Sequence, residues 1–146
     1  MKRNLLIISA LISFIVAEAQ IVNISDINFK SALLSASSTN QIAKDLNSNW
    51  VIIDVNSDGE IQESEALNIY KLYVFNKEIN DLTGIEYFTN LNELQCQNNL
   101  LSTLDMSNNT NLIELYCFEN QLNTLNVNNN INLTWLECDT NQLSTL

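Results

Sequence analysis

The sequence predicts an α/β solenoid, in which stacked repeats form an arc with short parallel strands on its concave face and a small helical cap precedes the first repeat. Three observations predict this architecture. The second half of the chain repeats every 21 residues. The apolar residues of each copy keep the same positions within the repeat. The segment before the copies has no repeat and begins with a short helical pattern.

The copies align without gaps at residues 91–111 and 112–132, where 11 of 21 positions are identical. A partial copy at 133–146 shares 8 of 14 positions with the second one, and a degenerate copy, one residue longer, occupies 69–90. The shared frame, L-x-x-L-x-C-x-x-N-x-L-x-x-L, is the leucine-rich-repeat pattern. Each copy is too small to bury its own apolar side, so stacking of the copies creates the core.

Three cysteines, Cys96, Cys117 and Cys138, hold one position of the repeat, two residues after its inward leucine. In-register residues on neighbouring strands lie about 4.8 Å apart, whereas disulfide-bonded Cβ atoms lie about 3.5–4.5 Å apart. We therefore expect a column of buried free thiols rather than disulfides. The asparagines of the same frame, at 99, 120 and 141, are expected to bond backbone groups at the turns.

The N-terminal segment indicates export. A basic start is followed by an apolar run from Leu5 to Val16 and by the small residues around Ala17 and Ala19, which is typical of a signal peptide at 1–19. The run is shorter than the roughly 20 residues of a membrane span, and no later stretch predicts one. The sequence therefore predicts a secreted protein, extracellular or at the cell surface.

The remaining chain divides into a cap at 20–68 and the repeats at 69–146. Residues 25–36 predict a helix that Ser25 or Asp26 caps, and this helix would cover the open edge of the first repeat. The formal net charge is −11, which disfavours a nucleic-acid partner, because an acidic surface repels phosphates.

The segment 54–65, DVNSDGEIQESE, has the spacing of an EF-hand-type calcium loop. Oxygen-bearing residues occupy loop positions 1, 3, 5, 7, 9 and 12, and Gly59 stands at position 6, where the chain turns sharply. Hard oxygen ligands and the absence of histidine favour calcium over zinc or copper. The alternative is an acidic turn that binds no metal. The six predicted ligands are Asp54, Asn56, Asp58, Glu60, Gln62 and Glu65.

The chain resembles the secreted leucine-rich-repeat proteins of bacteria that use type IX secretion. The segments that carry the resemblance are ISDINFKSALL (24–34), DVNSDGEIQESEA (54–66), LTGIEYFTNL (82–91) and the repeats. The resemblance implies export and a role in adhesion or surface binding. Such proteins usually continue through more repeats into a sorting domain, whereas this sequence stops at Leu146. The acidic loop is also similar to those of dockerins, which carry two such loops.

The concave strand face is the expected binding surface of such a solenoid, because its outward side chains alternate with the buried ones. Aromatic side chains beside amides and carboxylates suit a protein or glycan ligand. The predicted binding residues are Tyr73, Phe75, Gln95, Gln97, Tyr116, Phe118, Trp135, Glu137 and Asp139.

Two further hypotheses stay open. One is a structural fragment of a longer surface protein, whose missing C-terminal repeats or domains carry the activity. The other is an enzyme, which we do not expect, because the chain has no histidine and no nucleophile motif. We therefore expect a binding or adhesion module with one structural calcium ion.

Overall fold

The computed structural model describes residues 20–144, so the predicted signal peptide at 1–19 lies outside the described residues. Within them, parallel strands stack into a solenoid. Its concave sheet has five strands in the order β1-β2-β3-β5-β7. These strands are β1 (Ala43–Lys44), β2 (Lys71–Tyr73), β3 (Glu93–Gln95), β5 (Glu114–Tyr116) and β7 (Trp135–Glu137).

The repeat frame sets the register of this sheet. Leu72 pairs with Leu94, Leu94 with Leu115, and Leu115 with Leu136, so the inward leucines form one column. Leu72, Leu94 and Leu115 are fully buried. The predicted solenoid of stacked copies with parallel concave strands is confirmed.

The opposite side of the solenoid carries little helix. A 3-10 helix, Ile85–Tyr87, lies in the degenerate copy, and a two-stranded parallel sheet, β4 (Thr103–Asp105) with β6 (Thr124–Asn126), lies in the later ones. This is what 21-residue copies permit, because so short a repeat leaves few residues for a return helix. No helix within residues 20–144 has the length and apolar character to cross a bilayer.

The cap contains two short helices, α1 (Ile27–Leu34) and α2 (Glu63–Ala66). Asp26 is the N-cap of α1, and its carboxylate accepts hydrogen bonds from the backbone N–H groups of Asn28 and Phe29, each at 2.9 Å. The same carboxylate accepts the N–H of Asn80 at 2.8 Å. The predicted cap helix is therefore present, and its N-cap also fastens it to the first copy.

One strand of the sheet was not predicted. Residues 37–49 are rich in serine and asparagine, a composition that predicts a loop, but Ala43 and Lys44 pair antiparallel with Leu72 and Lys71. This pairing places β1 on the outer edge of β2, so the first repeat strand has a partner on both sides.

Candidate functional site

Three columns of outward side chains cover the concave face, one on each side of the buried leucine column and one beyond the strand ends. The first column is Lys71, Glu93, Glu114 and Trp135; the second is Tyr73, Gln95, Tyr116 and Glu137. The third follows the strands, where backbone pairing continues, and contains Phe75, Gln97, Phe118 and Asp139. The structure thus brings all nine predicted binding residues onto one face; whether they bind a ligand stays a prediction.

A single carboxylate organises the end of this face nearest the cap. Glu93 accepts hydrogen bonds from the Lys71 ammonium at 2.7 Å and from the Gln95 amide at 2.7 Å. The Tyr73 hydroxyl approaches it at 3.4 Å. Glu93 is only 6% exposed, because these neighbours cover it. The hydrogen bond to Glu93 raises the pKa of Lys71, so this ammonium group stays charged at neutral pH.

Two cap residues complete this end of the face, and sequence reasoning missed them. The Trp50 ring lies 5.5 Å from the Tyr73 ring, centroid to centroid, at a tilt of 59°. The Lys44 ammonium lies 4.2 Å from the centroid of the Trp50 ring, within cation–π range. The antiparallel pairing of β1 brings Lys44 to the sheet, and a bridge between Lys44 and Trp50 brings the ring beside it. The sequence pattern did not predict this pairing.

The far end of the face, on β5 and β7, pairs its carboxylates with neutral donors. The Tyr116 hydroxyl donates to Glu114 at 3.0 Å, and the indole N–H of Trp135 donates to Glu137 at 3.0 Å. Burial, together with the hydrogen bond to Glu114, raises the pKa of Tyr116 to about 12. Among residues 20–144, no lysine comes within ion-pair distance of Glu114 or Glu137.

The cysteines form a column behind the face, as predicted. All three are free thiols. Cys96 and Cys117 are fully buried, whereas Cys138 is half-buried. Burial raises the pKa of Cys96 well above its usual value, raises that of Cys117 to about 12, and raises that of Cys138. All three are therefore protonated at neutral pH and act as small apolar side chains.

Two ladders of asparagine side chains tie successive turns together. The predicted one contains Asn99, Asn120 and Asn141. The Asn99 carbonyl oxygen accepts the N–H groups of Lys77 and Ile79, while its amide donates to two carbonyls at 2.9 Å. A second ladder, Asn109 and Asn130, was missed, although asparagine is identical between the copies there. Both side chains are buried and donate to carbonyls of the preceding turn.

The acidic loop is compact and held by its own N–H groups. Asp54 accepts the backbone N–H groups of Asp58 at 3.2 Å and Gly59 at 3.0 Å. The Asn56 amide donates to Asp58 at 2.9 Å and to Gln62 at 3.2 Å. Glu65, 8% exposed, accepts the backbone N–H groups of Val55 and Gln62. Five predicted ligand side chains thus meet in one hydrogen-bonded network.

The sixth predicted ligand, Glu60, occupies the loop position that binds calcium through its backbone carbonyl, and its side chain turns away from the loop. Glu60 makes a 2.6 Å ion pair with Lys30 of α1, while Ile61 is fully buried in the core. The backbone hydrogen bond from Glu60 lowers the pKa of Asp58, so this carboxylate is ionised at neutral pH. The predicted ligand atoms are therefore carboxylate, amide and backbone carbonyl oxygens, which fit calcium chemically.

The carboxylates of the loop are not gathered around one point. Among the described residues, no three Asp, Glu, His or Cys side chains stand close enough together to hold a metal ion. Instead, the Asn56 amide N–H₂ lies between the oxygens of Asp58 and Gln62. Calcium binding would therefore require this amide to rotate and present its oxygen.

A groove of about 980 Å³ lies away from the concave face. It follows the edge where the strands begin, between the residues just before them and the cap loop of Asp45–Asn47 and Val51–Ile53. Four exposed apolar side chains border it, and no predicted binding residue lines it. These side chains are Leu46, Ile52, Val55 and Leu67.

Comparison with known proteins identifies the fold. Neither a protein-family model nor a curated protein matches the chain. Among solved structures, the functional domain of InlJ from Listeria monocytogenes, which includes a cysteine ladder, matches with a TM-score of 0.68 and 34% identity. An internalin, InlF, of Listeria monocytogenes strain 4b F2365 matches with a TM-score of 0.60 and 21% identity. The CBM51-2 and INT domains of Clostridium perfringens ZmpB match with a TM-score of 0.53 and 20% identity.

These matches cover most of this chain but little of the others. The alignments include 88%, 91% and 71% of the chain, and they span 26% of the InlJ chain, 36% of the InlF chain and 19% of the ZmpB chain. The InlF and ZmpB likenesses show the fold alone. Together with the parallel register of the strands, the matches show a leucine-rich-repeat solenoid fold.

Proposed function

We propose that this chain is a secreted, non-catalytic binding module that recognises a protein or a glycan on its concave face, with one structural calcium ion in the acidic loop. The observation that carries the proposal is the in-register face itself, where five aromatic side chains stand among amides and carboxylates. Likeness to internalin structures supports a repeat-based adhesion or surface role. Export rests on the predicted signal peptide.

A solenoid face suits recognition for a physical reason. Its side chains stand on strands whose register is fixed by buried leucines, so little conformational freedom remains to be lost on binding. Trp135 is 53% exposed and Phe75 is 40% exposed, and burial of such rings supplies much of the binding free energy at protein interfaces. The predicted ligand would therefore cover these rings.

Binding by the mature chain, residues 20–146, to arrays of glycans and surface proteins tests the proposal. We expect a ligand whose affinity falls at least about tenfold in the Tyr116→Ala/Trp135→Ala variant. Ile131→Ala is the matched control, because Ile131 is an 88% exposed apolar residue outside the three columns. Equal binding by the parent and the double variant would place the binding site elsewhere.

The calcium part is tested separately, by thermal melts in millimolar calcium and in chelator. Extracellular calcium modules bind with Kd values of about 10⁻⁴–10⁻³ M, so about 2 mM calcium would stabilise the fold by roughly 0.7–1.8 kcal/mol. We expect calcium to raise the melting temperature of the parent and of Glu78→Gln, an exposed-charge control, but not of Asp54→Ala. A parent melt that is the same in calcium and chelator would reduce the segment to an acidic turn.

A further inference from the structure

The two ends of the concave face carry the same kinds of side chain but differ in cations. At the cap end, Lys71 neutralises Glu93 and Lys44 lies against the Trp50 ring. At the far end, Glu114 and Glu137 accept hydrogen bonds from Tyr116 and Trp135, and no lysine among residues 20–144 forms an ion pair with either glutamate. The lysines at the cap end therefore show that carboxylate and aromatic side chains in this arrangement bind a cationic group.

We propose that the far end of the concave face, formed by Glu114, Tyr116, Trp135 and Glu137, binds an arginine or lysine side chain of a protein partner. This inference deepens the proposed function and rests on it, because it gives the partner of the same face a charge and a chemical class.

The register of the strands favours binding of a cation from outside the chain. Glu93 and Glu114 are directly paired across β3 and β5, and like charges at such positions destabilise a sheet. Lys71 lies on the far side of Glu93, across β2, so it relieves Glu93 first. A cation above β5 and β7 would relieve the remaining repulsion, which makes the bound form of the sheet electrostatically more favourable than the free form.

The charge count of the whole face points the same way. Its twelve outward positions hold four acids, Glu93, Glu114, Glu137 and Asp139, and one base, Lys71. Because carboxylates focus the field of this acidic chain onto a concave surface, approach of a basic partner would be accelerated. A neutral glycan would gain nothing from that field and would have to desolvate the same carboxylates.

The exposed ring at the far end gives a second reason. Trp135 is 53% exposed and stands beside Glu137, to which its indole N–H donates. A guanidinium group carries five N–H donors and also stacks on aromatic rings, so arginine matches this face better than lysine.

Titration of the mature chain with a hexa-arginine peptide, in millimolar calcium, tests the inference. Tryptophan fluorescence gives the readout, and a Trp50→Phe background assigns the signal to Trp135. We expect saturable binding that weakens as salt is raised. The Glu114→Gln/Glu137→Gln variant keeps the shape of both side chains, so its affinity should fall about tenfold or more through loss of charge alone.

The matched control is Glu63→Gln/Glu78→Gln, which removes the same charge away from the face and should bind within about twofold of the parent. Equal weakening of both variants would overturn the inference, since the peptide would then respond to overall acidity. Absence of peptide binding would also overturn it. If the parent then bound a neutral glycan in a Trp135-dependent way, the proposed function would stand while this inference failed.

Discussion

The first turns of the solenoid and the last one carry the same residue frame in different surroundings. Leu94 and Cys96 are fully buried, whereas Leu136 and Cys138, at identical repeat positions, are half-buried. In the first turns, Lys71 also forms an ion pair with Glu93, whereas no lysine among residues 20–144 pairs with a carboxylate of the last turn. In a stacked fold, burial and charge pairing of one copy are therefore supplied by its neighbours, and equal sequence does not produce equal stability.

The largest effect is expected from removing the inward leucine of each turn. Leu94→Ala would leave a cavity in the packed core and cost about 2–5 kcal/mol, whereas Leu136→Ala would cost about 1–2 kcal/mol because that side chain is already partly hydrated. Urea unfolding of the two variants measures both values. Equal losses would show that the last turn is as well packed as the first ones.

The asparagine ladder gives the next comparison. Asn99→Ala would leave the N–H groups of Lys77 and Ile79 and two carbonyls unpaired beneath the surface, at a cost of about 2–4 kcal/mol. Asn141→Ala, on a half-exposed turn, would cost about 1 kcal/mol, since water replaces the lost partners. If both variants unfolded at the same urea concentration, solvent access would not be the cause of the difference between turns.

The seam between cap and first copy is tested by its glycine. Gly84 has φ +105, and a Cβ there would lie 2.9 Å from Ile24 and 3.1 Å from the Asn23 carbonyl oxygen. Gly84→Ala should therefore cost about 2–3 kcal/mol. Gly59→Ala is the control, because Gly59 also has a positive φ, +81, but open space around it, and should cost about 1 kcal/mol. Thermal melts compare the two, and a smaller loss at Gly84 would mean that the cap yields easily.

Alkaline pH gives the smallest expected effect. Folding raises the pKa of Tyr116 from 10.0 to about 12 and that of Cys117 from 9.0 to about 12. The unfolded chain therefore loses these protons first, so stability is complete below about pH 9 and declines towards about pH 12. Tyr116→Phe should flatten the decline above about pH 10. Urea midpoints across this range provide the measurement, and an unchanged slope would remove Tyr116 from the account.

The fold could be predicted because its determinants are local and recur. Each copy contains its inward leucine, its cysteine and its turn asparagine at the same positions, so the structure of one repeat predicts that of the next. The approach of Trp50 to Tyr73 could not be predicted, because it depends on the path of a non-repeating loop. The near-complete burial of Glu93 likewise depends on Lys71, which lies 22 residues away on another strand.

The candidate site likewise contains features that the sequence predicts and features that it does not. Register placed the predicted binding residues on one face, because alternation along a strand is a local property. The partners of their carboxylates were not foreseen, since Tyr116 and Trp135 reach glutamates on their own strands rather than across them. Calcium binding by the acidic loop stays a prediction.

The asparagine ladder has a consequence for how such a chain grows and shrinks over evolution. The Asn120 oxygen accepts the N–H of Leu101, and the Asn141 oxygen accepts that of Leu122. The asparagine of each copy therefore bonds a backbone N–H group in the turn of the copy before it. Any copy that carries the shared asparagine is able to make this hydrogen bond to whichever copy precedes it. Gain or loss of a whole 21-residue copy preserves such bonds, because the strand and its turn asparagine move together. The longer copy at 69–90 shows that the stack also admits one extra residue, since the Ile79 N–H still reaches the Asn99 oxygen at 3.1 Å. Repeat number is therefore free to vary as long as each copy keeps its asparagine.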